Sequence, residues 1–436
     1  MPIKLKSGSS NLMNDVYGLQ ENPFRTAPIY SIDRRGTYVP EMYGDQYDEF
    51  YQKFFLNPLS KESNKQVIGA LWSTHSGDSL GKGYGKSMLM AEESMQINRD
   101  LGASKLRKFG VDEGDIIENP FVSGYCTFDQ AKDVKSFAAA LLDAVVFILE
   151  SSDGDRTLHL KLRERICQRI EAEEGFEGES IERALNKELR RYRGLNIQLT
   201  HATVRSFIER LCHNDTEELV KFIRHEIGPR VKANQGFNFV HIFNAFLMLA
   251  GIVYVVYFVD QIENFAKFAR NQERDLKILR ESICQTSPTA EFASFVFQMH
   301  IQALQVIEDW WDNIEHLPSL DASKPINTMR IVDLKGLTTT KEATTLAARY
   351  LAEKRVSGFR VASDLHPFDG DIVEAIRQAV KGNPRKFLEQ LGAILDNAAD
   401  QQRKKIDLPF VQPYLDDDSS ETNVVPEEEE YTNPER

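Results

Sequence analysis

Three consecutive residues, Gly85-Lys86-Ser87, have the types and the order that phosphate chemistry asks for. A phosphate chain is held by inward-pointing backbone N–H groups, by a flexible cation that reaches its far end, and by a hydroxyl that binds the accompanying Mg²⁺. Gly81, Gly83 and Gly85 permit a tight backbone that approaches a ligand closely. Lys86 would then reach the outer phosphates and Ser87 would ligate the metal, with Tyr84 and Met88 completing the contact set. The usual pattern for such a loop is G-x-x-x-x-G-K-[ST]. Here Leu80 stands where the first glycine belongs, and Gly81 follows one place later.

A second candidate lies far downstream. The segment Ile252–Val259 is β-branched and aromatic, as a fully buried parallel strand would be, and it ends abruptly in Asp260. An acid at the tip of a buried strand would hold the shell of a phosphate-bound Mg²⁺ through water. Glu263, three residues on, would orient or deprotonate an attacking water. The catalytic set read from sequence is therefore Lys86, Asp260 and Glu263, the metal set Ser87 and Asp260, and the cofactors ATP and Mg²⁺.

These side chains need elements to position them. The segment 66–72 reads as an apolar strand entering the glycine loop, and Ser87–Ser94 reads as the helix leaving it. Residues 121–128 read as a second strand, 131–149 as a helix, and 292–300 as another buried strand. The apolar stretch 237–265 is long enough to span a bilayer. His241, Asn244 and Gly251 argue instead for a buried helix, a break and a strand, with no membrane partner.

Composition sets the outer limits. A chain of 436 residues accommodates two or three domains. Cys126, Cys167, Cys212 and Cys284 form no close pair, which implies a reducing compartment, the cytoplasm, over a disulfide framework or zinc site. The net charge of −13 is concentrated after Ile406, at Asp416–Asp418 and Glu427–Glu430, and leaves no bulk electrostatic case for nucleic-acid binding. That tail is expected to be disordered.

Three segments together resemble the additional-strand P-loop ATPases, meaning AAA+ proteins of the initiator and transposition-regulator type and their STAND relatives. Residues 81–87 resemble Walker A. Residues 253–265 resemble a Walker B of the D-Q-x-E form. Residues 368–400 resemble the helical lid, in which a G-N-P-R turn starts a helix whose arginine, Arg385 here, senses the nucleotide phosphates. The resemblance implies an α/β, three-layer αβα P-loop core with an α-helical insertion and a C-terminal α-helical lid. It further implies that the strand after Walker B ends in a γ-phosphate contact, Gln298 or His300, and that residues 21–29 form the linker that covers adenine. A neighbouring subunit would supply an arginine, with Arg270, Arg274 and Arg280 as candidates, so assembly into a homo-oligomer follows. One departure bears on turnover: Gln261 stands directly after the aspartate, where most AAA+ proteins keep their catalytic glutamate. Either Glu263 does that job or the nucleotide acts as a switch.

The expected organisation is a leader over 1–60, a P-loop core over 61–328 with a helical insertion near 151–236, a lid over 329–405 and a tail over 406–436. The insertion reads as three helices and carries Arg190, Arg191 and Arg193 beside Tyr192, a basic cluster that suits nucleic-acid phosphates or an acidic partner. In the lid, Thr339 and Glu342 form a capping-box pattern, and Gly382-Asn383-Pro384 stops one helix and starts the next. Three function classes follow. The first is a nucleotide-driven regulator acting on nucleic acid or a nucleic-acid-processing protein, as in transposition, replication or antiviral defence. The second is a nucleotide-gated protein–protein scaffold with little turnover. The third is a small-molecule P-loop transferase, which the lid and the distant Walker B disfavour.

Overall fold

The computed structural model describes residues 8–24, 38–60, 68–73, 83–128, 134–172, 180–192, 201–230, 233–261, 282, 286, 288–298 and 331–415. The chain divides into two compact units, one spanning 29–336 and the other combining 1–28 with 337–436.

The larger unit is built on a parallel sheet of five strands: β1 (Ile68–Trp72), β2 (Phe121–Thr127), β3 (Tyr254–Asp260), β4 (Ala293–Gln298) and β5 (Ile331–Asp333). Their order is β2-β3-β4-β1-β5, so β4 lies between the strand that enters the glycine loop and the strand that ends in Asp260. The apolar stretch 237–265 divides as its composition predicts. A helix ends at Leu249, Gly251 turns in the left-handed region at φ 78°, and all seven residues of β3 are buried. Among the described residues no helix is long and apolar enough to cross a membrane.

Alternation along the strands assigns the layers. Helix α1 (Asp45–Tyr51) and helix α2 (Lys86–Asp100) cover one face. There Ser94 Oγ meets Ser123 Oγ at 2.8 Å, and Phe50 stacks on Phe258 with centroids 5.5 Å apart. The neighbouring residues of the same strands point the other way. A Cβ on Gly124 would lie 3.0 Å from the Ala144 carbonyl of helix α3 (Val134–Glu150). Tyr257 Oη donates to Asn244 Oδ1 of helix α8 (Ala233–Leu249) at 2.6 Å. The sheet is therefore sandwiched between helical layers, the αβα arrangement expected from the sequence.

The insertion comprises helices α4 (Leu158–Ala172), α5 (Ile181–Leu189), α6 (Ala202–Cys212) and α7 (Thr216–Phe222). Among the described residues it has four α-helices where three were expected, because Asp215 caps a new one by accepting the Glu218 N–H at 2.8 Å. Leu162, Ile166, Leu185 and Phe207 join the same buried cluster as Phe239 and Phe246 of α8, so the insertion completes the core. Charge helps too. Arg165 Nε donates to the Ala250 carbonyl at 3.0 Å, and Arg169 Nη1 to those of Met248 and Leu249 at 3.1 and 3.0 Å. The open C-terminal carbonyls of α8 are thus capped by cations, where a helix dipole favours them.

The smaller unit is helical: α9 (Thr340–Glu353), α10 (Gly370–Ala379), α11 (Pro384–Asp400) and α12 (Leu408–Leu415). Thr339 and Glu342 make the reciprocal capping box read from the sequence. Gly382 is left-handed at φ 73°, and Asn383 Oδ1 accepts the N–H groups of Arg385 and Lys386. Asn22 donates to the Gly392 carbonyl at 2.9 Å, and Phe24 stacks on Tyr350. These residues of the expected adenine-covering linker are therefore used to pack the helical unit, and 25–37 lie outside the described residues. One correction concerns the tail. Residues 408–415 form a helix with Phe410 and Val411 buried, because this stretch precedes the acidic run and carries enough apolar surface to dock.

Candidate functional site

The Gly85-Lys86-Ser87 triplet opens α2, and the adjacent Tyr84 lies near Asp333, which registers beside Trp72 at the carboxyl end of β1. Gly83 and Gly85 both have positive φ, 85° and 75°, and Gly85 is the N-cap of α2. A side chain at Gly85 would be strained by that backbone, and its Cβ would lie 2.6 Å from the Tyr43 hydroxyl, so glycine is required there. The Tyr43 hydroxyl in turn donates to the Gly85 carbonyl at 2.9 Å. By position, the amides of Lys86, Ser87 and Met88 have no intrahelical acceptor, and Gly85 brings no side chain to cap them. Positive helix-dipole charge gathers at the same place. Lys86 is buried, while Ser87 and Met88 are half-buried. Tyr84 is buried, and burial with the nearby Asp333 raises its phenol above the usual range. Gly81 lies outside the described residues.

Strand order brings the second half of the site to this edge. Asp260, the last residue of β3, is 2% exposed. With β4 intervening, β1 and β3 are separated by two strand spacings, about 10 Å. A phosphate held at the start of α2, with its cation and hydration shell, has the dimensions to bridge that interval. Gln298, the last residue of β4, registers beside Leu71 of β1. Its Oε1 accepts the Gln261 N–H at 2.9 Å, while Gln261 adopts φ 60°. Ser294 bonds Tyr254, whose hydroxyl also reaches Phe54, so even-numbered residues of β3 and β4 face α1 and α2. Asp260 and Gln298 therefore lie on the face of the sheet that carries α2. The carboxyl edge of a parallel sheet is where α/β folds bind ligands.

The α2 helix is anchored by a buried carboxylate that sequence reading missed. Glu93 is fully buried and accepts hydroxyls from Tyr38 at 2.6 Å, Tyr47 at 3.1 Å and Tyr51. Lys105 Nζ pairs with it at 2.7 Å and also donates to Gln96 Oε1 at 2.6 Å. Burial and then Glu93 push all three phenols up, whereas burial pulls the Lys105 ammonium down against the pull of Glu93. The ion pair and its three phenols tie the segment 38–51 to the helix that presents Lys86. The signal available in the sequence was the tyrosine spacing at 43, 47 and 51, an i, i+4, i+8 face.

Tyr125 was also missed. From β2 its hydroxyl donates to Asp260 Oδ2 at 2.8 Å, and its ring packs edge-on against Phe147. Only the strand pairing, with Thr127 opposite Asp260, brings it there.

Other expected residues are placed differently. Arg385 pairs with Glu389 at 3.0 Å within α11 of the helical unit. Glu263, His300, Arg270, Arg274 and Arg280 lie outside the described residues. Arg190 and Arg191 are exposed at the end of α5, Arg191 pairing with Glu188 at 3.0 Å; Arg193 lies outside the described residues. Tyr192 donates to the same Glu188 at 2.8 Å. With Arg183 and Lys187, the two arginines continue an exposed row at i, i+4, i+7 and i+8.

The donors available for a metal are the Ser87 hydroxyl and the Asp260 carboxylate. Both are hard oxygen ligands, and few protein ligands of this kind suit Mg²⁺, which keeps water and phosphate in its shell. Among the described residues no group of three or more His, Cys, Asp or Glu gathers into a metal cage. Ser87 and Asp260 suit a hard cation that draws most of its ligands from elsewhere.

No protein-family model matches this chain, and no curated protein does. Among solved structures, it is similar to the Aeropyrum pernix ORC2 protein in ADPNP–ADP complexes. The identity is 10%, the alignment covers 83% of this chain and 71% of that one, and the TM-score is 0.34.

Proposed function

We propose that this chain binds ATP with Mg²⁺ as an AAA+/STAND-type regulator, oligomerises on the nucleotide and acts on nucleic acid or a nucleic-acid-processing partner. One observation carries the reading. A left-handed Gly85 turn presents Lys86 and Ser87 at the end of β1, and the strand order with β4 inserted sets Asp260 and Gln298 on the same edge and face. In this reading Lys86 holds the outer phosphates, the first amides of α2 receive their oxygens, and Ser87 and Asp260 hold the cation directly and through water. A bound Mg²⁺ would screen the charge developing on the phosphoryl oxygens. Gln298 offers its amide toward the terminal phosphate, and Glu263 serves as general base. The exposed cations of α5 are the surface offered to nucleic-acid phosphates.

A second reading has its own support. Gln261 is neutral and follows Asp260 directly, so it supplies no base where a carboxylate would act. A nucleotide-gated scaffold with slow turnover would need none. ATP hydrolysis with and without DNA, alongside Lys86→Ala and Glu263→Gln and with sizing in ATP, separates the two. Turnover lost in both variants, with Glu263→Gln still assembling, supports the ATPase. Binding without turnover under any condition supports the scaffold. No nucleotide binding at all refutes both.

A further inference from the structure

The hydroxyl of Tyr125 is the group from β2 that touches the acid at the tip of β3. It reaches Asp260 Oδ2 at 2.8 Å while its ring packs edge-on against Phe147 of α3. On the other flank, Gln298 of β4 holds the next residue by its backbone N–H at 2.9 Å. That residue, Gln261, has the left-handed φ of 60°, a conformation a glutamine keeps only when its surroundings impose it. The acid is thus fixed from both sides: its carboxylate by a phenol, its following peptide by an amide. The Asp260 carbonyl is engaged as well, accepting from Phe128 N–H at 2.9 Å. That last bond is the closing rung of the β2–β3 ladder, as at any strand end; the phenol on Oδ2 and the Gln298 amide are additional.

From this geometry we infer that Tyr125 is a positioning residue for the cation site. By holding Oδ2 it sets the plane of the Asp260 carboxylate, and so governs how tightly the protein retains Mg²⁺ on a bound nucleotide. The inference rests on the nucleotide reading above and adds to it a residue and a role. Groups that orient a metal-ligating carboxylate typically change metal affinity by about 10- to 100-fold when removed. In this assignment the phenol acts on the carboxylate alone, so its removal should leave metal-free nucleotide binding unchanged.

The test uses the full chain and a fluorescent ATP analogue, first in EDTA and then across a Mg²⁺ titration. Wild type, Tyr125→Phe, Tyr125→His, Asp260→Asn and Lys86→Ala are compared, each checked for native unfolding temperature. Tyr125→Phe keeps the ring against Phe147. It should raise the half-saturating Mg²⁺ concentration about tenfold, with affinity in EDTA within twofold of wild type. Tyr125→His, which retains a ring donor, should recover part of the loss and serves as the second arm should the phenylalanine variant unfold. An unchanged Mg²⁺ midpoint in Tyr125→Phe overturns the assignment while leaving the nucleotide reading intact. So does an equal loss in EDTA and in Mg²⁺, which would mark a merely structural role. If wild type fails to bind the analogue, or Lys86→Ala binds it equally well, the nucleotide reading fails first.

Discussion

Replacing Glu93 by alanine removes the acceptor of four groups at once. Glu93 is fully buried and Lys105 is 7% exposed, so the variant leaves an ammonium in the protein interior without its carboxylate. Breaking one side of a buried ion pair costs about 3–5 kcal/mol, and three phenols losing their acceptor push the figure toward the upper end. Replacing both partners by apolar residues is a different perturbation, because no charge is then left behind. Glu93→Leu combined with Lys105→Met should lose less stability than Glu93→Leu alone, since only the three phenols are then left without their acceptor. Glu93→Leu and Lys105→Met made singly therefore should not add to the double, with a coupling energy of about 2 kcal/mol or more. Urea unfolding, followed by circular dichroism with tyrosine fluorescence as a second probe, measures all four corners of the cycle. A Glu93→Ala variant within 1 kcal/mol of wild type, or a double variant as unstable as the sum of the singles, would refute the buried pair. Because α2 also presents Lys86, the single variant should weaken nucleotide binding alongside stability.

Gly85→Ala should destabilise by about 1–3 kcal/mol and weaken nucleotide binding, since alanine is strained at φ 75° and would strike the Tyr43 hydroxyl. A thermal shift with and without ATP checks it. Acid should destabilise the larger unit through two histidines. Burial lowers His159 to about 4 and His241 to about 3, both below the unfolded value of 6.5. The neutral rings thus contribute stability that is intact above about pH 6.5 and lost as pH falls toward 4. Each histidine costs about 1.4 kcal/mol per pH unit in that window. Urea midpoints at pH 7, 6 and 5 should show this slope, and His159→Gln should reduce it. Arg165→Ala should cost about 1–2 kcal/mol by uncapping α8, measured by the same unfolding assay.

Local signals were the legible ones. The glycine loop, the apolar run ending in Asp260, the Thr339 capping box and the Gly382-Asn383-Pro384 break each depend on a few neighbouring residues. Their physics is complete within one or two turns of chain. What escaped the sequence depends on pairing across distance. Tyr125 and Asp260 are joined only by strand register, and nothing in the neighbourhood of Tyr125 announces a carboxylate 135 residues away. Glu93 read as one more acid on a helix until three tyrosines and Lys105 converged on it. The arginines of α4 read as surface charge, yet they cap a helix about 80 residues downstream. In the insertion, amphipathic periodicity located the helices but overlooked the Asp215 cap, because a helix pattern runs smoothly across a short break.

The outer border of β2 shows what the fold does about neighbours of its own kind. A strand at the margin of a sheet offers its unpaired amides and carbonyls to any extended chain. At Phe121 the N–H is taken by the Leu101 carbonyl at 3.1 Å. At Ser123 both groups are taken by one side chain, since Asn98 accepts the N–H at 2.9 Å and donates to the carbonyl at 2.7 Å. A single asparagine thus imitates the backbone of a missing sixth strand. Copies of this protein that meet side by side find the first half of that margin already occupied. Changing Asn98 to leucine would reopen that margin, and the harm would show as concentration-dependent aggregation before it showed as lost stability.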